Sequence, residues 1–204
     1  MTSEWLFTSY FNIHSFIHYI PSKKARKSER EKVRHIQFIQ ALAWGAMFWV
    51  FGIAAQESTV FTNRELGFSI AQPEGWERAE NISGAALALT APPIKNTFRF
   101  NVNVIVHDLP GTTTLEQFAD AQISGVDKLL NAYAQDEKSK IELGALKAVR
   151  VTFHFTQKEI AVKCCSVMVV ANERGYLLTC SADAAHFDEA LKIFETITGS
   201  FKAL

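Results

Sequence analysis

The side chains best suited to covalent or metal chemistry are three cysteines, Cys164, Cys165 and Cys180, and three histidines of the chain's body, His107, His154 and His186. A nucleophilic thiol needs a base beside it, and a metal centre needs ligands at short, matched spacings. The chain's body has neither a Cys-x-x-Cys nor a matched histidine pair. The phosphate-cradling Walker A loop, the dinucleotide pattern GxGxxG and the nucleophile elbow Gly-x-Ser-x-Gly are also missing. Asp136-Glu137 and Asp188-Glu189 are adjacent residues whose carboxylates point apart, so they read as solvated faces and lack the alternation of a calcium loop. Asn81-Ile82-Ser83 matters as a sequon only in a host that glycosylates it. The expectation is a chain that is not an enzyme, with no catalytic, cofactor-binding or metal residue, and with the histidines on the surface or capping elements.

The thiols depend on the elements that carry them. Ile160 to Ala171 and Tyr176 to Ser181 read as strands joined by the turn residues Asn172-Glu173-Arg174-Gly175. Neighbours on a strand face opposite ways, so Cys164 and Cys165 cannot both meet Cys180. If Asn172 opposes Gly175, Cys180 falls opposite Val167 and diagonal to Cys165, roughly 7–8 Å away and past easy disulfide reach. Structural thiols are expected; a bridge or a reactive thiol is the alternative that a register slip would allow.

The other elements follow from periodicity. Val60-Phe61-Thr62 and Gly67 to Ala71 form a hairpin, and Pro73-Glu74-Gly75-Trp76 is a turn that folds Trp76 onto the core. Ala85 to Thr90 is a strand closed by Pro92-Pro93. Phe98 to His107 alternates, with Phe98, Phe100, Val102, Val104 and Val106 on one face and Arg99, Asn101 and Asn103 on the other. Those three polar residues fit an interface, a solvated face or a helix-covered face equally well. Thr114 and Gln117 make a capping box for a helix expected from Thr114 to Tyr133. Ile141 to Leu143 and Val149 to Thr156 are further extended segments, and a helix through Phe187, Ala190, Leu191, Phe194 and Ile197 closes at Gly199. Several strands, a helix, four strands and a helix imply an α+β domain around a mostly antiparallel sheet, with no internal repeat.

The 204 residues weigh 22.8 kDa, enough for one ordinary domain, and 48% hydrophobic with 21% charged residues is a globular balance. Net charge is zero, but residues 1–56 hold seven Lys/Arg against three Asp/Glu and carry +4, so the remainder carries −4. A mildly acidic body offers nucleic acid no electrostatic footprint. Residues 36–56 contain no charge and lie directly after the basic run KKARKSEREKVRH; small residues Gly52, Ala54 and Ala55 lie at the end. That is the grammar of a secretory signal peptide cleaved near Gln56. The run is also long enough for an uncleaved anchor, and a buried core helix is the third reading. No cysteine near residue 56 offers lipid attachment. Residues 1–35 form a basic extension that is long for a signal peptide; translation starting at Val33 would give one of usual proportions, leaving residues 1–32 out of the product.

Two stretches together resemble a known superfamily. Glu65 to Trp76 (ELGFSIAQPEGW) is similar to the opening of PsbP-like and DcrB-like domains. Gly175 to Ala182 (GYLLTCSA), with Phe187 and a helix running to Gly199-Ser200-Phe201, resembles their closing pattern; Gly144 to Arg150 enters a hairpin in the matching order. The resemblance covers residues 59–203 and extends to the Ran-binding Mog1 proteins. It implies an α/β/α sandwich around an antiparallel sheet, and a protein that is generally not an enzyme. It carries over no binding residue. Relatives of this kind serve as a lumenal photosystem II subunit, as bacterial envelope proteins linked to phage uptake, and inside eukaryotic cells. Combined with the signal-like segment, the expectation is an extracytoplasmic protein, secreted or anchored to the inner membrane. It would act without catalysis through contact with an envelope or membrane protein. The alternatives are an accessory subunit of a photosynthetic membrane complex, a small-ligand binder or unrecognised enzyme using a pocket between sheet and helix, and a cytosolic Mog1-like partner of a small GTPase. The last would leave residues 36–55 as exposed apolar surface.

Overall fold

The computed structural model describes residues 58–93 and 98–204. The expected signal or anchor segment 36–56 and the basic extension before it lie outside the described residues. No helix among the described residues is long and apolar enough to cross a membrane.

Among the described residues ten strands and two helices succeed one another: β1 (Ser58–Asn63), β2 (Phe68–Pro73), β3 (Glu77–Ile82), β4 (Ala85–Thr90), β5 (Asn101–Asp108), α1 (Leu115–Ile123), β6 (Ala134–Leu143), β7 (Leu146–Gln157), β8 (Ile160–Ala171), β9 (Arg174–Asp183), α2 (Phe187–Gly199) and β10 (Lys202–Ala203). β3-β4-β5-β9-β8-β7-β6 is one seven-stranded sheet and β1-β2-β10 a small second one. Every pairing is antiparallel. Each face of the large sheet carries its own core. On one face α1 contributes Phe118 and Ala119 to a cluster with Ile105, Val149, Val151 and Phe153. On the other, Phe187, Ala190, Phe194 and Ile197 of α2 pack with Val102, Val104, Val167 and Leu178, and Phe68 and Ile70 of the small sheet join them. The layer opposite α1 is therefore a helix and a small sheet side by side, not a helix alone.

Four expectations need correction. The helix expected to run to Tyr133 stops at Ile123: Ser124 turns extended, Gly125 takes φ +84°, and only a 3₁₀ turn (Val126–Lys128) comes after it. Its start is as expected, since Gln117 N donates to Thr114 Oγ1 and Thr114 N donates to Gln117 Oε1. β3 is absent from the periodic pattern, because an edge strand reading ERAENI has no apolar face to reveal it. β6 runs from Ala134 rather than Ile141, again as a charged edge, and it carries an irregularity between Gln135 and Glu137.

The fourth is the β8–β9 hairpin. Ala171 opposes Arg174, leaving a two-residue turn in which Asn172 and Glu173 adopt φ +52° and +57°. That is the turn whose twist matches the strands. The register moves by two residues, from Val167 to Cys165, so Cys165 stands directly opposite Cys180. Trp76 behaves as expected: its N–H donates to Pro73 O and its ring is buried.

Candidate functional site

β5, β9 and β8 are neighbours in register, so their alternate residues form rows across the α1-bearing face. Asn103 opposes Thr179, which opposes Ser166; Asn101 opposes Ser181, which opposes Cys164. Residues directly opposite share a face and lie about 4.5–5.5 Å apart at Cβ. A polar band two rows deep results, bounded by Ile105, Leu177 and Met168 in the next row. Asn103, Ser166, Thr179 and Ser181 are all buried. Among the readings open for Arg99, Asn101 and Asn103, the solvated face is excluded for Asn103, which is buried, while Arg99 and Asn101 are half-buried. Arg99 turns back to donate from Nε to Ala91 O at 2.8 Å and pairs with Glu77 at 3.0 Å.

The band's hydrogen bonds run in one direction. Asn101 Nδ2 donates to the Arg99 carbonyl at 3.2 Å, which fixes that amide because a carbonyl only accepts. Asn101 Oδ1 is thereby turned to receive Asn103 Nδ2 at 3.3 Å, and this fixes the second amide in turn. Asn103 Oδ1 ends the chain, buried and without a partner. Beside it the Ser166 and Thr179 hydroxyls share one hydrogen bond at 3.1 Å, and Cys164 Sγ donates to Ser181 Oγ at 3.2 Å. Neither Ser166 nor Thr179 pairs with an imidazole or a carboxylate, so no hydroxyl is activated for attack. Such a band presents hydrogen-bonding groups of both kinds inside the sheet's core.

The three thiols are held protonated by their burial. Burial pushes Cys164 up to about 12, opposed by the Ser181 bond, and pushes Cys165 up to about 11, opposed by Arg150. Burial also raises Cys180 well above the ordinary thiol range. All three are free and buried.

The histidines divide. His186 caps α2 with Nδ1 2.6 Å from Asp183 Oδ1, and that bond raises its pKa. His154 lies exposed with Nδ1 2.8 Å from Asp136 Oδ1, while Lys163 Nζ is 3.8 Å from the other carboxylate oxygen. Asp136 is exposed, as expected of a solvated face, and it pairs there with His154 and Lys163 beside the β6 irregularity. His107 is half-buried: it packs against Phe118 at 5.8 Å, and burial lowers its pKa. Among the described residues no group of three or more His, Cys, Asp or Glu is placed to hold a metal ion. A shallow, open cleft of about 220 Å³, lined by Leu66, Asn81, Gly84, Ala85, Ala86 and Val106, lies where β3, β4 and β5 approach the β1–β2 loop.

Ser166, Thr179 and Ser181 escape a reading of the sequence because each is one small polar residue in an apolar strand. Only the register shows that they meet.

Comparison with known proteins adds a family and a fold. Residues 60–203 match the family described as serine/threonine kinase C-terminal domain. No curated protein matches the chain. Among solved structures, the cyanobacterial PsbP (CyanoP) of Synechocystis sp. PCC 6803 is similar at 11% identity and TM-score 0.59, covering 75% of this chain and 96% of its own. LpqN, a protein involved in cell envelope biogenesis of Mycobacterium tuberculosis, matches at 15% identity and TM-score 0.51 over 72% of this chain and 90% of its own. The Ran-binding protein Mog1p of Saccharomyces cerevisiae matches at 6% identity and TM-score 0.53 over 73% and 96%. At these identities the likeness is one of fold, and the fold is PsbP/Mog1-like.

Proposed function

The chain belongs to the family of serine/threonine kinase C-terminal domains, and we propose that it works as a non-catalytic recognition module on the outer side of a membrane. It is secreted, or tethered through residues 36–56, and it binds an envelope or membrane protein. The carrying observation is the uncharged run 36–56: seven Lys/Arg precede it, and only Glu57 separates it from the first strand of the folded domain. A cationic flank resists translocation while an apolar run of this length enters a bilayer, so the arrangement sends the folded domain across. A family described as the end domain of kinases, and a fold shared with a protein of cell envelope biogenesis, are consistent with a domain that senses or docks. Thiols held protonated and hydroxyls bonded to one another support recognition rather than catalysis.

The test is cross-linking of intact cells that express the tagged full-length chain, using a reagent that does not cross membranes. Adducts with an envelope or membrane protein are expected. Adducts forming only after the cells are opened, with cytosolic proteins, would overturn the reading.

A second reading, binding of a small polar ligand, is favoured by one observation. The buried Asn103 Oδ1 is an acceptor awaiting a donor beside two hydroxyls. A ligand with N–H or O–H groups, found by mass spectrometry after purification under native conditions, would put this reading first.

A further inference from the structure

A sheet edge is a row of unpaired backbone donors and acceptors, and proteins blunt such edges with charge, bulges or brevity. Three edges of this fold obey that rule. β3 reads ERAENI, with Glu77, Arg78 and Glu80; β6 carries Asp136, Glu137, Lys138, Lys140 and Glu142 together with an irregularity; β10 has two residues. β1 does not. It reads STVFTN, uncharged and rich in β-branched and aromatic residues, and among the described residues it pairs along its whole length with β2 on one side only. Val60, at its middle, is 68% exposed.

We propose that the free edge of β1 pairs antiparallel with β1 of a second copy of this chain, about a two-fold axis at Val60. A two-fold axis perpendicular to the sheet brings together only residues on the same face. The register therefore centres on one residue: Val60 meets Val60, Ser58 meets Thr62, and Thr59 meets Phe61. Centring on Phe61 is disfavoured, because the Arg78 guanidinium lies 5.2 Å over that ring and the two cations would meet at the axis. The occupant is a second copy because the edge matches itself: uncharged against uncharged, with the most exposed large apolar side chain facing its twin. One strand pair buries far less than the ~1,200 Å² of a stable free interface, so the contact needs high local concentration. Residues 36–56 would supply it by confining both copies to one membrane, and in that respect the inference rests on the tethered form of the proposed function.

The test uses full-length copies with two different tags, coexpressed and extracted from membranes in detergent; capture of one tag reads the amount of the other. Wild-type copies should capture each other. Val60→Lys with itself, and Val60→Glu with itself, should lose capture by about tenfold, because like charges meet on the axis. The mixed pair, Val60→Lys with Val60→Glu, should recover it. Unchanged melting temperatures establish that the exposed substitutions leave the fold intact. Capture that is indifferent to these combinations, or wild-type copies in the membrane that never capture each other, would overturn the proposal. If fractionation finds the chain only in a soluble pool, tethering fails on its own account. The same four combinations are then read by sedimentation at high concentration, where absence of a wild-type dimer overturns the edge pairing.

Discussion

Cys165 on β8 and Cys180 on β9 face each other directly across the sheet, and no bond joins them. Both lie in the core beneath α2, where burial disfavours the thiolate that disulfide formation needs. With a pKa of about 11, Cys165 is ionised in only about one molecule in a thousand at pH 8. The native protein should therefore leave a thiol reagent at pH 8 unconsumed over minutes. Denaturation without reductant should release all three thiols. A single free thiol after denaturation would mean that Cys165 and Cys180 had bridged, and rapid labelling of the native protein would mean a reactive cysteine.

Gly175 lies where α1 meets the sheet. A Cβ there would come within 2.6 Å of Phe118 Cε2 and Cζ and 2.9 Å of Leu109 Cδ1. Gly175→Ala should destabilise by about 1–3 kcal/mol as the helix is pushed outward. Phe118→Ala should cost about 3–5 kcal/mol by emptying the same place. The double variant should be less unstable than the sum, since removing the ring removes the clash. Chemical denaturation of the three variants checks this; strict additivity would contradict it.

The sheet's edges and rows explain which elements are legible in the sequence. Strands with one apolar face, such as β5 with Val102, Val104 and Val106, and the capped start at Thr114 show themselves through period and cap chemistry; Phe98, expected on that same face, lies before the strand and packs on the other core. β3 and the first half of β6 do not, because charge that protects an edge also removes the apolar signal. The end of α1 is hidden for a different reason. Val126, Leu130 and Tyr133 keep a helical spacing and do pack on the same core, but through a 3₁₀ turn and a loop after Gly125. The polar band depends on long-range register: one turn conformation at Asn172-Glu173 decides which residue of β8 faces Thr179. No local pattern encodes that.

Acidification should act through two histidines in opposite directions. His107 has its folded pKa lowered by burial, so the unfolded chain binds the proton more readily. Its effect is stability that is intact above about pH 6.5 and lost as pH falls through the folded pKa. His186 has its folded pKa raised by Asp183, so its contribution is full below about pH 6.5 and disappears as pH rises through the folded value. Ring titrations by NMR should place His107 below and His186 above the ordinary value. His107→Gln should flatten the acid loss of stability, whereas His186→Ala should steepen it. Reversed titrations would contradict the packing described.

The polar band makes an ordered prediction. Asn101→Ala removes the acceptor of Asn103 Nδ2 and leaves a buried amide with nothing to bond, which should cost about 1–3 kcal/mol. Asn103→Ala removes the orphan acceptor together with the donor and should cost less. Equal losses in denaturant titrations would mean that Asn103 Oδ1 has a partner. A ligand that raises the melting temperature of wild type but not of Asn103→Ala would identify that partner.

The central claim, display on the outer side of a membrane, is tested most directly by fractionating cells that express the full-length chain with a C-terminal tag. The tagged product is then weighed intact. The account predicts a tag in the envelope fraction that protease can reach from outside. The mass should fit either a chain beginning near Gln56 or one that keeps residues 36–56. A full-length product confined to the cytosol would contradict it.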